Sequence, residues 1–224
     1  DVQSYFYENE IDVVFHTAIT GGRRTKKDSE KDFYNNIKMF EILDSVAANT
    51  KILFNFASGA EYDRSRDIFF VDEQDLGDKI PLDFYGLSKY IISKQALSSR
   101  NNWVNLRIFN CFGSTEKNDR MIKAAINNKL SGNKIIVHQN KYMDFFHMED
   151  LINVVKWYIH RDPHDKIFEC IYEEVYRLTH IAEMIALILG KTAKIELKKE
   201  GLDKPYIGKD REFTIDSKFE NRLK

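Results

Sequence analysis

Short apolar runs alternate with helical patterns along the first half of the chain. Runs rich in β-branched and aromatic residues occupy 11–15, 51–57 and 104–109, and each has the length of a strand. Between them, apolar residues recur at helical spacing over 33–48 and 84–98. Nearly continuous apolar strands separated by helices are typical of a parallel sheet covered on both faces. The pattern therefore predicts an α/β fold.

The second half has a different character, with more helix and shorter strands. Its predicted helices are 120–130, 148–160 and 178–189, and its predicted strands are 134–138, 167–172 and 193–197. In the first half, 1–9 is predicted as a helix end and 63–83 as an irregular charged segment. We therefore expect two domains, 1–113 and 114–224, with some segments of the second returning to the sheet.

Polar side chains follow the three predicted strands of the first half. In such sheets, ligands bind beyond the carboxyl ends of the strands. His16, Ser58 and Asn110 come directly after these runs. Tyr85 and Lys89 are four residues apart on a predicted helix, which places them on the same face. A lysine ammonium beside a phenol favours the phenolate, so we expect the Tyr85 pKa to be lowered toward neutrality.

Composition excludes several classes of function. The net charge of -1 gives no electrostatic basis for binding nucleic acid or an anionic membrane. No apolar run approaches the ~20 residues that span a bilayer, and no signal peptide is recognisable. Cys111 and Cys170 have no metal-ligand spacing and form no disulfide framework, so we expect a reduced, cytoplasmic protein without a bound metal.

Further motifs accompany Ser58, Tyr85 and Lys89 in a fixed order along the chain. They are the segments 12–18 (Asp-Val-Val-Phe-His-Thr-Ala), 106–113 (Leu-Arg-Ile-Phe-Asn-Cys-Phe-Gly) and 144–150 (Asp-Phe-Phe-His-Met-Glu-Asp), together with Asn36. This ordered set resembles the extended short-chain dehydrogenase/reductases, in the branch of NAD-dependent sugar epimerases, dehydratases and reductases.

The resemblance implies a Rossmann-type parallel sheet with a smaller C-terminal α/β substrate lobe. It also implies an enzyme that uses NAD or NADP on a nucleotide-sugar substrate, in surface-polysaccharide or deoxysugar biosynthesis. By this resemblance Tyr85 is the acid/base, Lys89 binds the nicotinamide ribose and tunes Tyr85, and Ser58 orients the substrate oxygen. A homodimer formed through the Tyr85 helix and the helix before it is expected on the same basis.

Two more residues receive roles by the same resemblance, and three others are interpreted from their residue type and position. Asn110 is expected to contact the sugar nucleotide, and Ala18 to line the path of the cofactor. Arg120 is balanced between binding a substrate phosphate and facing solvent. For Arg107, a structural salt bridge is favoured over substrate binding, and for Cys111 a buried thiol is favoured over a nucleophile.

The branch closest to these motifs is the GDP-fucose synthase type, but two of its groups are replaced here. That branch has a cysteine where this chain has Ala60, and a histidine where it has Arg120. Both serve double epimerisation, so their replacement favours plain 4-keto reduction or another sugar transformation.

The family's Gly-rich turn does not occur in this sequence. By family length, on the order of 50–60 residues would precede Asp1 in a complete member. We therefore expect a fragment that binds cofactor poorly. The alternative is a non-catalytic relative that binds a cofactor or partner without a complete nucleotide site.

Overall fold

The computed structural model describes residues 1–22, 27–161, 165–190, 194–209 and 218–223. Its helices are α1 (Val2–Glu8), α2 (Glu30–Val46), α3 (Phe84–Ser98), α4 (Met121–Leu130), α5 (Met148–His160), α6 (Leu178–Ile188) and α7 (Phe219–Arg222). Its strands are β1 (Val13–His16), β2 (Ile52–Ser58), β3 (Ile68–Val71), β4 (Trp103–Ile108), β5 (Cys111–Phe112), β6 (Ile135–Asn140), β7 (Phe146–His147), β8 (Ile167–Cys170), β9 (Ile195–Leu202) and β10 (Tyr206–Gly208). Ala193, the predicted start of β9, lies outside the described residues.

The chain divides into two compact units, each built from separated segments. The first unit contains Asp1–Arg66, Asp72–Ile108 and Val155–Cys170. The second contains Asp67–Val71, Phe109–Val154 and Ile171–Lys224. The α/β class and the Rossmann-type parallel sheet predicted from the sequence are confirmed.

A four-stranded parallel sheet forms the centre of the first unit. Its strand order is β1-β2-β4-β8, so β1 and β8 are the edges of this sheet in the described part of the chain. Helices α2 and α3 pack against each other, and their apolar side chains bury Leu53 and Trp103 of the sheet. Within the sheet, Asn55 donates to the Asn105 side chain over 2.7 Å, which joins the two central strands through a buried amide pair.

Local sequence accounts for the starts of both helices. Ser29 and Asp32 form a reciprocal capping box at α2, so the helix begins three residues earlier than predicted. Asp83 caps α3 by accepting from the backbone N–H of Gly86 over 2.8 Å. The bounds of α3 are those the sequence predicts.

The second unit contains three short two-stranded sheets, all parallel: β3 with β10, β5 with β7, and β6 with β9. The prediction that 63–83 is irregular is wrong at β3, because its pairing partner comes from a segment more than a hundred residues later. Helix α7 is held by Phe219, whose ring packs among Phe112, Phe145, Tyr172 and Tyr176. Among the described residues, no helix is long and apolar enough to cross a membrane.

Asp44 joins the end of α2 to the segment before β4. Its Oδ1 atom accepts from Trp103 Nε1, Ser99 Oγ and Asn101 Nδ2, each over 2.7 Å. Removal of this acceptor leaves the Trp103 and Ser99 donors unpaired, whereas Asn101 keeps a 2.7 Å bond to the Asp44 backbone carbonyl.

We therefore expect Asp44→Ala to lower the free energy of unfolding by about 2–3 kcal/mol, measured by urea denaturation. Glu41 lies on the same helix and is exposed, so Glu41→Ala should change it by less than about 0.5 kcal/mol. Equal effects of the two substitutions would contradict this role of Asp44.

Candidate active site

Ser58 is the last residue of β2 and caps the single 3₁₀ turn that follows it. This turn, Gly59–Glu61, is called the serine turn below. The Ser58 hydroxyl accepts from the backbone N–H of Ala60 over 3.2 Å. Because Ser58 lies at the carboxyl end of a parallel strand, it occupies the edge of the sheet where such folds bind ligands.

Helix α3 approaches the serine turn at Gly86. A Cβ atom on Gly86 would lie 2.5 Å from the carbonyl oxygen of Ala60 and 2.9 Å from Pro81. Contacts that short do not occur, so only glycine allows the first turn of α3 to reach this position. The close approach places Tyr85, which precedes Gly86, next to the side chain of Ser58.

The Ser58 side chain lies close enough to the Tyr85 phenol to act on its pKa. Burial raises the pKa of Tyr85 above its ordinary value, while the Ser58 side chain and the Arg64 guanidinium, 5.8 Å from the ring centroid, act in the opposite direction. The predicted lowering of this pKa is therefore wrong, because burial outweighs the neighbouring polar groups. The ring also contacts Gly22, where an added Cβ would lie 2.6 Å from Tyr85.

Lys89 lies one helical turn beyond Tyr85 and is buried, with 6% of its surface exposed. Its Nζ atom lies 6.0 Å from the Tyr85 ring centroid and donates to the carbonyl oxygen of Phe56 over 2.6 Å. Burial lowers the pKa of Lys89 to about 8, and the negative charge of Glu61 opposes that shift. The structure thus brings Ser58, Tyr85 and Lys89 together within the first unit.

A hydrogen-bond network supports α3 from the opposite side. Asn36 on α2 accepts from the Thr20 backbone N–H over 2.7 Å and donates to Ser88 Oγ over 3.2 Å. Ser88 in turn donates to the backbone carbonyl of Tyr85 over 2.8 Å. Asn36, which the sequence singled out only by resemblance, thus ties the loop after β1 to the helix that carries Tyr85.

Arg107 forms a fully buried ion cluster beneath the serine turn. Its guanidinium donates to Glu61 on the turn and to Glu169 on β8, so the predicted salt-bridge role is confirmed. The ring of Tyr62 lies 5.1 Å from the Arg107 Cζ atom. Sequence reasoning missed Glu61 in its polar segment and Glu169 in its predicted strand, because an acidic residue usually faces solvent in either setting.

The remaining predicted residues lie elsewhere. Ala18 is exposed, two residues beyond β1. In the second unit, buried Asn110 donates to the Asp144 carbonyl over 2.9 Å and accepts from Arg120 over 3.4 Å. Cys111 is partly buried, and burial raises the pKa of its thiol to about 11, which does not suit a nucleophile at neutral pH.

His16 ends β1 and is buried against the rings of Phe40 and Trp103. Burial, with a smaller contribution from the Lys89 charge, lowers the pKa of His16 from 6.5 to about 4. In the window between these values the unfolded chain binds a proton that the folded chain does not. The folded state therefore loses stability as the pH falls through that window.

When the pH is lowered from 7 to 4.5, we expect the free energy of unfolding to fall by about 2–3 kcal/mol less in His16→Phe than in the parent protein. Denaturant unfolding at the two pH values measures this difference. His160 is exposed on α5, so His160→Gln should leave the pH dependence unchanged. The same acid loss in parent and His16→Phe proteins would show that His16 is not the group responsible.

The sequence and the fold of this chain resemble those of several known proteins. A curated relative, ADP-L-glycero-D-manno-heptose-6-epimerase from Brachyspira hyodysenteriae, is 25% identical over 240 residues, covering 91% of this chain and 74% of its own. The crystal structure of a mutant UDP-glucuronic acid 4-epimerase from Bacillus cereus, in complex with UDP-4-deoxy-4-fluoro-glucuronic acid and NAD, matches with a TM-score of 0.80. Its identity is 20%, and the match covers 100% of this chain and 76% of that one.

A GDP-L-fucose synthetase from Naegleria fowleri also shares the fold. It matches with a TM-score of 0.78 and 12% identity, over 99% of this chain and 76% of that chain. The model of the NAD dependent epimerase/dehydratase family matches residues 1–170, which is more than half of the sequence. The chain therefore belongs to the NAD dependent epimerase/dehydratase family.

Proposed function

We propose that this protein is an NAD(P)-dependent enzyme that reduces, epimerises or dehydrates a nucleotide sugar through Ser58, Tyr85 and Lys89. One observation carries the proposal: Ser58 and Tyr85 lie beside each other at the carboxyl edge of a parallel sheet, with a buried lysine one helical turn beyond Tyr85. In this proposal residues 1–113 belong to a partial dinucleotide-binding domain and 114–224 to a substrate-binding lobe.

The hydrogen-bonding capacity of Lys89 fits a cofactor ribose. An ammonium has three donors, and among the described residues Lys89 uses one, toward the Phe56 carbonyl. Two donors therefore remain for ribose hydroxyls, with the Tyr85 phenol as a neighbouring group. Ala18, exposed after β1, would lie along the cofactor. NAD or NADP, when bound, supplies or accepts the hydride.

Tyr85 would move the proton that accompanies the hydride. Because its pKa is raised, Tyr85 is a phenol at neutral pH and can donate its proton to a carbonyl oxygen that gains charge during reduction. Ser58, which lies beside Tyr85, would hold the same oxygen and fix its orientation. The protonated form of Tyr85 thus favours the reductive direction as the first step.

The kind of sugar chemistry is inferred from two positions. Ala60 and Arg120 replace the cysteine and the histidine that serve double epimerisation in the GDP-fucose synthase branch. We therefore favour 4-keto reduction over double epimerisation. The relatives named above are epimerases and a synthetase for nucleotide sugars, which supports the substrate class, with surface-polysaccharide or deoxysugar biosynthesis as the setting. We also propose a cytoplasmic homodimer formed through α2 and α3.

Replacement of Tyr85 tests the proposal. With the product of the complete coding sequence and a panel of nucleotide sugars, we expect Tyr85→Phe to lower kcat by about 10²–10⁴-fold, followed by NAD(P)H absorbance. Tyr90→Phe, on the same helix, is the matched control and should keep parental turnover. Unchanged turnover in Tyr85→Phe would sink the assignment. Cofactor binding without turnover of any sugar would favour a non-catalytic, cofactor- or partner-binding relative.

Arg120 and Asn110 would contact the sugar nucleotide in the second unit. The Arg120 side chain is one-third exposed and lies 3.5 Å from Glu116, so its guanidinium remains accessible to a phosphate. We expect Arg120→Met to raise the KM for the nucleotide sugar about tenfold while the KM for NAD(P)H stays unchanged. Lys123→Met removes a charge from α4, which begins directly after Arg120, and should leave both constants unchanged. An equal change of both KM values in Arg120→Met would show a general effect of lost surface charge and would contradict a specific role in binding the nucleotide sugar.

A further inference from the structure

Glu61 is a fully buried carboxylate within the serine turn, three residues after Ser58. One of its oxygens binds Arg107. The other, Oε2, is buried and has no hydrogen-bond partner among the described residues. A desolvated carboxylate oxygen without a hydrogen bond is costly, so a nearby positive charge is needed to compensate it.

The serine turn, which contains Glu61, packs directly against α3, the helix that carries Lys89. Gly86 packs against the Ala60 carbonyl, and Ala60 is adjacent to Glu61 in the turn. Lys89 follows Gly86 by one helical turn, and its ammonium lies at the Phe56 carbonyl of β2. The next residue of β2, Ala57, is in register with Arg107 on β4.

Glu61 shares its positive partner with a second carboxylate. The Arg107 guanidinium binds both Glu61 and Glu169, so Glu61 has only part of one positive charge beside it among the described residues. The Lys89 ammonium is also buried and is held by a neutral carbonyl. The Glu61 carboxylate and the Lys89 ammonium can therefore compensate each other's charge.

We propose that Glu61 is a positioning residue of the Ser58, Tyr85 and Lys89 site, whose buried carboxylate keeps Lys89 in the ammonium form while its bond to Arg107 fixes the serine turn. The consequence for turnover rests on the proposed function, but the charge coupling does not. Three titratable groups bear on Lys89: Glu61 from the serine turn, His16 from β1, and Tyr85 on its own helix. Burial and Lys89 both favour neutral His16, and Tyr85 is protonated at neutral pH, so Glu61 is the counter-charge among these three.

Glu61 and Glu169 form a matched pair for the test. Both bind the same guanidinium, and Glu61 is the one whose charge raises the pKa of Lys89. Carbon-13 NMR of labelled lysines follows the titration of Lys89, assigned by the resonance that disappears in Lys89→Met. We expect Glu61→Gln to lower the Lys89 midpoint by about 1 pH unit, and Glu169→Gln to leave it within about 0.3.

Turnover gives a second readout. In Glu61→Gln the alkaline limb of the kcat–pH profile should move to lower pH by the same amount as the NMR midpoint, and Glu61→Asp, which keeps the charge, should restore both. A Lys89 midpoint that is unchanged in Glu61→Gln, or that moves equally in Glu169→Gln, would overturn the inference. Because NMR needs no substrate, a shifted midpoint in a protein without turnover supports the charge coupling and counts against the proposed function alone.

The double variant Glu61→Gln/Lys89→Met decides the case in which Glu61→Gln does not fold. Recovery of folding would support the inference, because the ammonium that lost its counter-charge has been removed. A double variant that also fails to fold would overturn it, since Glu61 would then act through Arg107 alone.

Discussion

The contact between Gly86 and the Ala60 carbonyl is the constraint on which the candidate site depends. It allows the first turn of a helix to lie directly on the turn that carries Ser58. Everything near the site is arranged around this contact: Tyr85 meets Ser58, and Lys89 reaches the Phe56 carbonyl. A side chain at position 86 would push the helix away and separate the pair, because the obstructing atom belongs to the backbone.

The first unit accepts several buried charges close to this contact. Lys89, Arg107 and two carboxylates are almost completely removed from water, which costs free energy unless each charge is paired. Beside them, His16 avoids the cost by remaining neutral. Such a concentration of ionisable groups is unusual in a core that only needs stability, and perturbed groups of this kind gather at functional sites.

The sequence was most informative where local signals decide the structure. Helix α3 has the predicted bounds because Asp83 caps its start and Pro81 precedes it. Strand β3 was missed because it is four residues long and is defined by a distant partner. Spacing alone correctly placed Tyr85 and Lys89 on one helix. It could not predict the pKa of Tyr85, because spacing carries no information on burial.

The candidate site shows the same division between local and distant information. Ser58, Tyr85 and Lys89 were found because each belongs to a short motif of recognisable order. Glu61, Arg64 and the contact of Gly22 with the Tyr85 ring were missed, since each depends on how separate segments meet. A buried acidic residue in a turn has the same sequence appearance as a solvated one.

The place of β8 in the sheet has a consequence for the order in which the chain is made. Glu169 follows Arg107 by 62 residues, and helices α4 and α5 lie between them in the sequence. During synthesis, Glu61 is therefore the one acidic partner in the cluster that is available to Arg107 until β8 has emerged. At typical rates of about 5–20 residues per second, that interval lasts several seconds. The sheet of the first unit is thus completed late, after much of the second unit already exists, and a growing chain spends this time with an edge of β4 open to pairing with another strand.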